Sequence, residues 1–145
     1  WQEAIAYIYD GNIEEKTFKH YDKLSDDLEN DFAKVIEIGS LLRASFDRMV
    51  KKYETKAEIV EFAGYNVYAV NAPSEIKSEL GNLLAAKTNS FAIIYYYESG
   101  NWKVSLRSVK DFDVSAIAGM YGGGGHKNAA AFWVKAEFPL AFINK

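Results

Sequence analysis

Cysteine is absent from the 145 residues, so the chain has no disulfide, no thiolate metal ligand and no cysteine nucleophile. That absence is compatible with a reducing compartment. Histidine occurs only twice, at His20 and His126, and no Asp-His-His run is present. A two-metal hydrolytic centre needs several carboxylates, and usually histidines, converging on ions about 3.5–4 Å apart. Two histidines so far apart do not supply one. No apolar run approaches the roughly 20 residues of a bilayer-spanning helix, and the N-terminus lacks the charged-then-apolar pattern of a secretory signal. A cytoplasmic chain without a membrane partner is therefore expected. The first residue is Trp1 rather than Met, as expected of a processed protein or a fragment.

What is present fits one compact domain of ordinary size with a real core, or a small domain carrying a long helix. Hydrophobic residues make up 49% of the chain and charged ones 26%, as in globular proteins. Aromatic residues reach 15%, which means a well-filled core, base-stacking surfaces, or both. The net charge of −3 hides an asymmetry. Residues 1–100 hold 11 basic and 17 acidic side chains, and residues 101–145 hold 6 basic and 3 acidic. An anionic ligand therefore belongs in the C-terminal third, and the excess there suits a small phosphorylated molecule better than duplex DNA.

Residues 3–9 read as a short helix ending at the turn signal Asp10-Gly11. Ser25 reads as an N-cap, followed by Asp26 and Asp27, with apolar residues at Leu24, Leu28, Phe32, Val35, Leu42, Phe46, Met49 and Tyr53. This predicts one long amphipathic helix of about 40 Å, interrupted by Gly39. The cluster Asp26-Asp27-Glu29-Asp31 reads as its solvated start rather than a metal site. Residues 56–62 and 65–71 read as strands joined at Ala63-Gly64. Pro73-Ser74 opens a helix to about Lys87, with Ile76, Leu80, Leu83 and Leu84 on its apolar face. Residues 91–97 read as a central strand covered on both faces. After Ser99-Gly100-Asn101, Trp102, Val104 and Leu106 alternate with Lys103, Ser105 and Arg107, so Arg107 faces away from the core. Asp113 caps a two-turn helix to Tyr121, Ala129–Val134 is a further strand, and a short segment follows Pro139. The fold class is α/β (α+β): a mixed β-sheet with flanking helices in the order ββαββαβ, preceded by a long connector helix.

Four consecutive glycines, Gly122 to Gly125, stand out, because each adds an entropic cost and contributes no packing. Either the loop crosses close to another backbone, or its bare N–H groups form a concave anion site. The run is neither a P-loop nor a dinucleotide fingerprint, since it follows a helix instead of leading into one. From spacing alone, a lone histidine after glycines reads as structural or exposed. The side chains that would attract an anion there, beside the N–H groups, are Arg107, His126 and Lys127. Tyr121 and Trp102 are the nearest stacking candidates, and Tyr95-Tyr96-Tyr97 reads as core.

The stretch Arg107-Ser108, then Asp113-Val114-Ser115-Ala116-Ile117-Ala118, then Gly122-Gly123-Gly124-Gly125-His126, then Ala129-Ala130 resembles the signature of the first type of DHH-associated domain. This is the C-terminal domain of DHH phosphoesterases, which include RecJ-like exonucleases, nanoRNases and dinucleotide phosphodiesterases. A related domain occurs in alanyl-tRNA synthetases. The resemblance covers about residues 56–136. It implies that residues 1–54 are the tail of a missing catalytic lobe plus the connector helix, and that residues 55–145 bind substrate. The missing N-terminal DHH lobe would carry two manganese ions, and this chain would hold no cofactor and no catalytic residue.

The implied partner is a short single-stranded oligonucleotide or a dinucleotide phosphate. By the same resemblance, Arg107 contacts the nucleotide or its terminal phosphate, Gly122, Gly123, Gly124 and Gly125 admit the ligand to the backbone, and His126 binds a phosphate oxygen. Ser108 and Ser115 are polar contacts. The family often has Pro after the His and Ala-Ala-Gly in the next strand; here Lys127 and Ala131 stand there, and Lys127 adds a phosphate contact. Hydrolysis of phosphodiester bonds is thus expected of the full-length enzyme rather than of this chain, with polyphosphate as another substrate class. Two other classes stay open: a non-catalytic RNA- or tRNA-binding module, and a homodimerisation element in which the long helix forms a coiled coil.

Overall fold

A computed structural model describes the backbone of residues 18–135 and the side chains from residue 36 onward. The expected helix over residues 3–9, the Asp10-Gly11 turn, the segment after Pro139 and the side chains of residues 25–31 lie outside the described residues. The chain divides into two compact units, residues 1–48 and 49–145.

The long helix α1 runs Phe18–Glu54, 37 residues or about 55 Å. It begins seven residues before the predicted cap at Ser25, because nothing in Phe18–Leu24 breaks a helix. The predicted stripe is also displaced in the second unit: Val50 is buried, whereas Met49 is 40% exposed. At its end the Glu54 carboxylate accepts from Lys51 and from Lys87, each at 2.7 Å. Those two ammonium groups hold its carboxyl below the usual range.

Strands β1 (Glu58–Phe62) and β2 (Tyr65–Asn71) pair antiparallel. Their two-residue turn has positive φ at both Ala63 and Gly64, the hairpin geometry that matches strand twist. Strand β1 starts two residues later than predicted, because the Lys56 and Ala57 amides still donate to the last carbonyls of α1. A 3-10 turn (Ser74–Ile76) leads into α2 (Lys77–Thr88), which returns the chain so that β3 (Phe91–Glu98) lies parallel to β2. A second tight turn, again with positive φ at Ser99 and Gly100, joins β3 to β4 (Asn101–Ser108). Helix α3 (Val114–Met120) follows, then the hairpin β5 (Gly124–His126) and β6 (Ala129–Val134). The mixed six-stranded sheet has the order β1-β2-β3-β4-β6-β5. The fold is α+β, as the sequence reading has it, with one strand more: β5 is three residues long and mostly glycine, too short to show a period.

The sheet is covered on both faces at its centre. One face carries Phe62, Val67, Phe91, Ile93, Val104, Leu106 and Phe132, with Val114, Ile117 and Ala118 of α3 packed on them. Each such fully buried large side chain stabilises the fold by about 1.5–3 kcal/mol. Helix α2 lies over β2, β3 and β4 on the other face, burying Ile76, Leu80 and Leu84 against Val70, Ala92 and Ile94. Leu83, expected on that apolar face, is 39% exposed instead, since the helix is buried along a narrow stripe.

Candidate functional site

The Asp113 carboxylate caps α3, accepting from the Ser115 amide at 2.8 Å and the Ser115 hydroxyl at 2.6 Å. The Ser115 side-chain and backbone bonds hold its carboxyl below the ordinary value. Ser115 therefore spends its hydroxyl on the cap. At the other end of α3 the Gly123 amide reaches back to the Ala118 carbonyl and the Gly122 amide to the Gly119 carbonyl. With φ +74 at Gly122, this is a Schellman closure, in which a left-handed residue satisfies the last helix carbonyls. Two of the glycine N–H groups are thus committed to the helix end.

The four glycines are not equivalent. A Cβ at Gly123 would collide with the Ala131 carbonyl oxygen and with Phe132. One at Gly125 would meet the Ala129 oxygen at 2.5 Å and Ala130 Cα at 2.6 Å, and Gly125 also has φ +148. These two let the chain cross β6 at backbone contact. Gly122 supplies the left-handed turn. Gly124 needs neither: its φ lies outside the left-handed region and a Cβ there would meet nothing within 4 Å. Nothing in the fold requires a glycine at 124.

The β5–β6 turn, Lys127-Asn128, is pinned from behind. The Ser108 hydroxyl donates to the Phe112 carbonyl at 2.7 Å, with the Lys127 carbonyl at 3.3 Å, and accepts from Asn128 Nδ2 at 2.9 Å. Ser108 is 4% exposed, and its hydroxyl holds the turn rather than facing solvent. The Lys127 carbonyl also accepts from the Val114 amide, so the start of α3 and the tip of the hairpin are tied together. The Lys127 ammonium is exposed and pairs with Asp111 at 2.8 Å.

Strand register brings the remaining candidates together. Ala129 stands between Arg107 of β4 and His126 of β5, and directly opposed residues of an antiparallel pair share a face. Leu106, Ala130 and Gly125 point to the main core, so Arg107, Ala129 and His126 lie in one row on the opposite face. With strands about 4.8 Å apart, Arg107 and His126 flank Ala129 at roughly 10 Å across the row. The next row on that face is Ser105, Ala131 and Gly124, and the one after is Lys103 and Trp133. Among the described elements, helix α2 covers this face mainly over β2, β3 and β4, and β6 and β5 extend past it as a shelf. Its floor is Ala129, Ala131 and Gly124.

Arg107 lies at the inner margin of the shelf. It faces away from the main core, as its alternation predicts, but its stem is pressed beneath α2 and the residue is half-buried. Gly81 makes this fit: a Cβ there would stand 2.6 Å from Arg107 Cγ and 2.7 Å from Ile94 Cδ1. The guanidinium donates to the Leu106 carbonyl at 3.2 Å and to Ser78 Oγ at 3.4 Å. Those bonds use two of five N–H donors. Burial lowers its pKa from the ordinary value, yet an arginine stays cationic under such conditions. His126 is exposed at the outer margin.

Sequence reasoning missed Gly81 and Trp133. A glycine in the middle of a helix costs about 1 kcal/mol, which was the available signal for a close approach at Gly81. Trp133 is 49% exposed on the shelf face. The stacking candidates named from the sequence lie elsewhere: Tyr121 stacks on Phe132 and Phe62 at 4.7 and 5.2 Å, and Trp102 meets Tyr95 and Tyr97, all on the core face. Among the described residues no three His, Cys, Asp or Glu side chains converge where a metal ion could be held. No helix among them is long and apolar enough to cross a membrane.

Fold and shelf together define an α+β domain in which a glycine hairpin extends a mixed sheet beside a half-buried arginine. The sequence profile of the DHHA1 domain matches residues 62–143. The chain belongs to the DHHA1 domain family. Oligoribonuclease NrnB of Bacillus subtilis is 34% identical over 101 residues, covering 67% of this chain and 25% of that protein. Protein R106 of Acanthamoeba polyphaga mimivirus is 33% identical over 105 residues, covering 69% of this chain and 23% of its own length. The chain thus spans about a quarter of the length of these curated relatives. An exopolyphosphatase-related protein of Bacteroides fragilis, 18% identical, superposes with a TM-score of 0.51 over 91% of this chain and 42% of that one, a likeness of fold alone.

Proposed function

We propose that residues 55–145 are the substrate-gripping domain of a phosphoesterase that hydrolyses phosphodiester bonds of short oligonucleotides. The observation that carries this is the row Arg107, Ala129, His126: a half-buried guanidinium and an exposed imidazole on either side of a floor too small to exclude a ligand. A phosphate above Ala129 accepts from the unspent donors of Arg107 on one side and from His126 on the other. Gly124 leaves the floor open beside it, Lys127 adds positive charge at the hairpin tip, and Ser108 positions that hairpin. The 34% identical relative named as an oligoribonuclease supports an oligonucleotide as the ligand. Bond cleavage belongs to a partner DHH lobe holding two manganese ions, with residues 1–54 leading from it. No chemical step is assigned to the residues of this chain.

The test is an amide NMR titration of the chain with a 5′-phosphorylated dinucleotide, in wild type and in His126→Ala. Shifts centred on Arg107, Gly124, His126 and Ala129, weakened about tenfold in the variant, are expected. Absence of shifts there, with concentration-dependent shifts along α1 instead, would refute it in favour of a dimerisation element.

A further inference from the structure

The shelf does not end at the phosphate position. Strand β5 begins at Gly124, so among the described strands Phe132 to Val134 of β6 pair with β4 alone and form an edge, and Trp133 is the residue there on the shelf face. It stands four residues beyond Ala129, about 13 Å along the strand. That distance is too long for one phosphate and within the reach of a dinucleotide. Between the two positions the floor holds Ala129, Ala131 and Gly124, and among the described residues of β5 and β6 no side chain larger than a methyl stands on the path. Among the described residues the Trp133 ring has no aromatic neighbour. The Lys103 ammonium sits over it at 4.9 Å from the ring centre and 3.7 Å from Glu98 Oε2. This cation steadies one side of the indole while 49% of the residue stays open.

We propose that Trp133, backed by Lys103, is a second nucleotide subsite, which stacks the base of the nucleotide following the one whose phosphate Arg107 and His126 hold. The inference rests on the phosphate-gripping role of the Arg107–His126 row. Its consequence is a length requirement: a ligand must carry two nucleotides to occupy both ends of the shelf. The small floor matches an oligonucleotide backbone, and the Lys103 charge complements its phosphates. An aromatic face accepts any base, so the subsite selects for length and not for sequence.

The experiment is calorimetric titration of the 145-residue chain with adenosine 5′-monophosphate and with 5′-phosphorylated diadenosine. Wild type should bind the dinucleotide about tenfold or more tightly than the mononucleotide, the scale of one base stacked on an aromatic ring. Trp133→Ala should bring the dinucleotide down to the affinity of the mononucleotide and leave the latter unchanged, and Trp133→Phe should restore part of the difference. If wild type does not distinguish the two ligands, the subsite is overturned without any variant. Equal dinucleotide affinity in wild type and Trp133→Ala, with both ligands weakened by His126→Ala, overturns the subsite and leaves the phosphate row standing. If His126→Ala alters neither ligand, the phosphate row fails and the subsite falls with it.

Discussion

Replacing the glycines of residues 122–125 by alanine one at a time separates what the fold needs from what a ligand needs. At Gly123 the new methyl is driven into the Ala131 carbonyl and the Phe132 backbone, atoms fixed in the β4–β6 ladder that cannot rotate aside. Overpacking of this kind costs about 1–3 kcal/mol even where side chains can yield, so about 3 kcal/mol is expected where they cannot. Gly125→Ala combines the same collision with φ +148 and should be at least as severe. Gly122→Ala carries only the left-handed strain, roughly 1–2 kcal/mol. Gly124→Ala should be neutral or stabilise by about 0.4–1 kcal/mol, because the methyl meets nothing and the unfolded chain loses freedom. In thermal melts, at about 4 °C or more per kcal/mol for a domain of this size, Gly123→Ala should fall by ~12 °C or more while Gly124→Ala holds or rises. The same Gly124→Ala protein should bind the dinucleotide about tenfold more weakly, since its methyl stands on the shelf floor. A Gly124→Ala variant that melts as low as Gly123→Ala, or that binds like wild type, would refute the division of roles.

Two further outcomes follow from the hairpin's supports. Ser108→Ala removes a buried hydroxyl that serves Phe112, Lys127 and Asn128, leaving those groups short of a partner, and should lower stability by about 1–3 kcal/mol in a denaturant titration. The second concerns acid. Asp113 has its carboxyl pKa depressed in the fold by the Ser115 bonds, so its cap is fully present above the ordinary value of 3.8 and is lost as pH falls through the lower folded value. Amide shifts of Val114 to Ala116 followed below pH 4 should therefore move together, with hydrogen exchange in α3 rising; Asp113→Asn should abolish that pH-dependent step.

Much of the sheet was legible because its strands alternate or run apolar between strong turn signals. The Tyr65–Asn71 and Ala129–Val134 strands have the bounds their residues predict, and Asp113 caps α3 as its position before Val114 and Ser115 indicates. The beginning of α1 was not legible, because the cap signal Ser25-Asp26-Asp27 stands seven residues inside the helix and reads as its start. Strand β5 was invisible for a related reason: glycine has no side chain to alternate. At the site, Arg107 and His126 were both named from the sequence, yet only register shows that Ala129 stands between them. Trp133 was passed over since an aromatic in a β-strand reads as core, and its side of the sheet depends on which residues β4 sets opposite it.

A mixed sheet has two outer strands, and here they are guarded in different ways. Strand β1 carries the exposed charges of Glu58 and Glu61. Strand β5 has only three residues, two of them glycine, and so offers almost no ladder for a foreign strand to extend. The brevity that leaves Trp133 and the small floor uncovered also keeps the ladder of β5 itself to three residues.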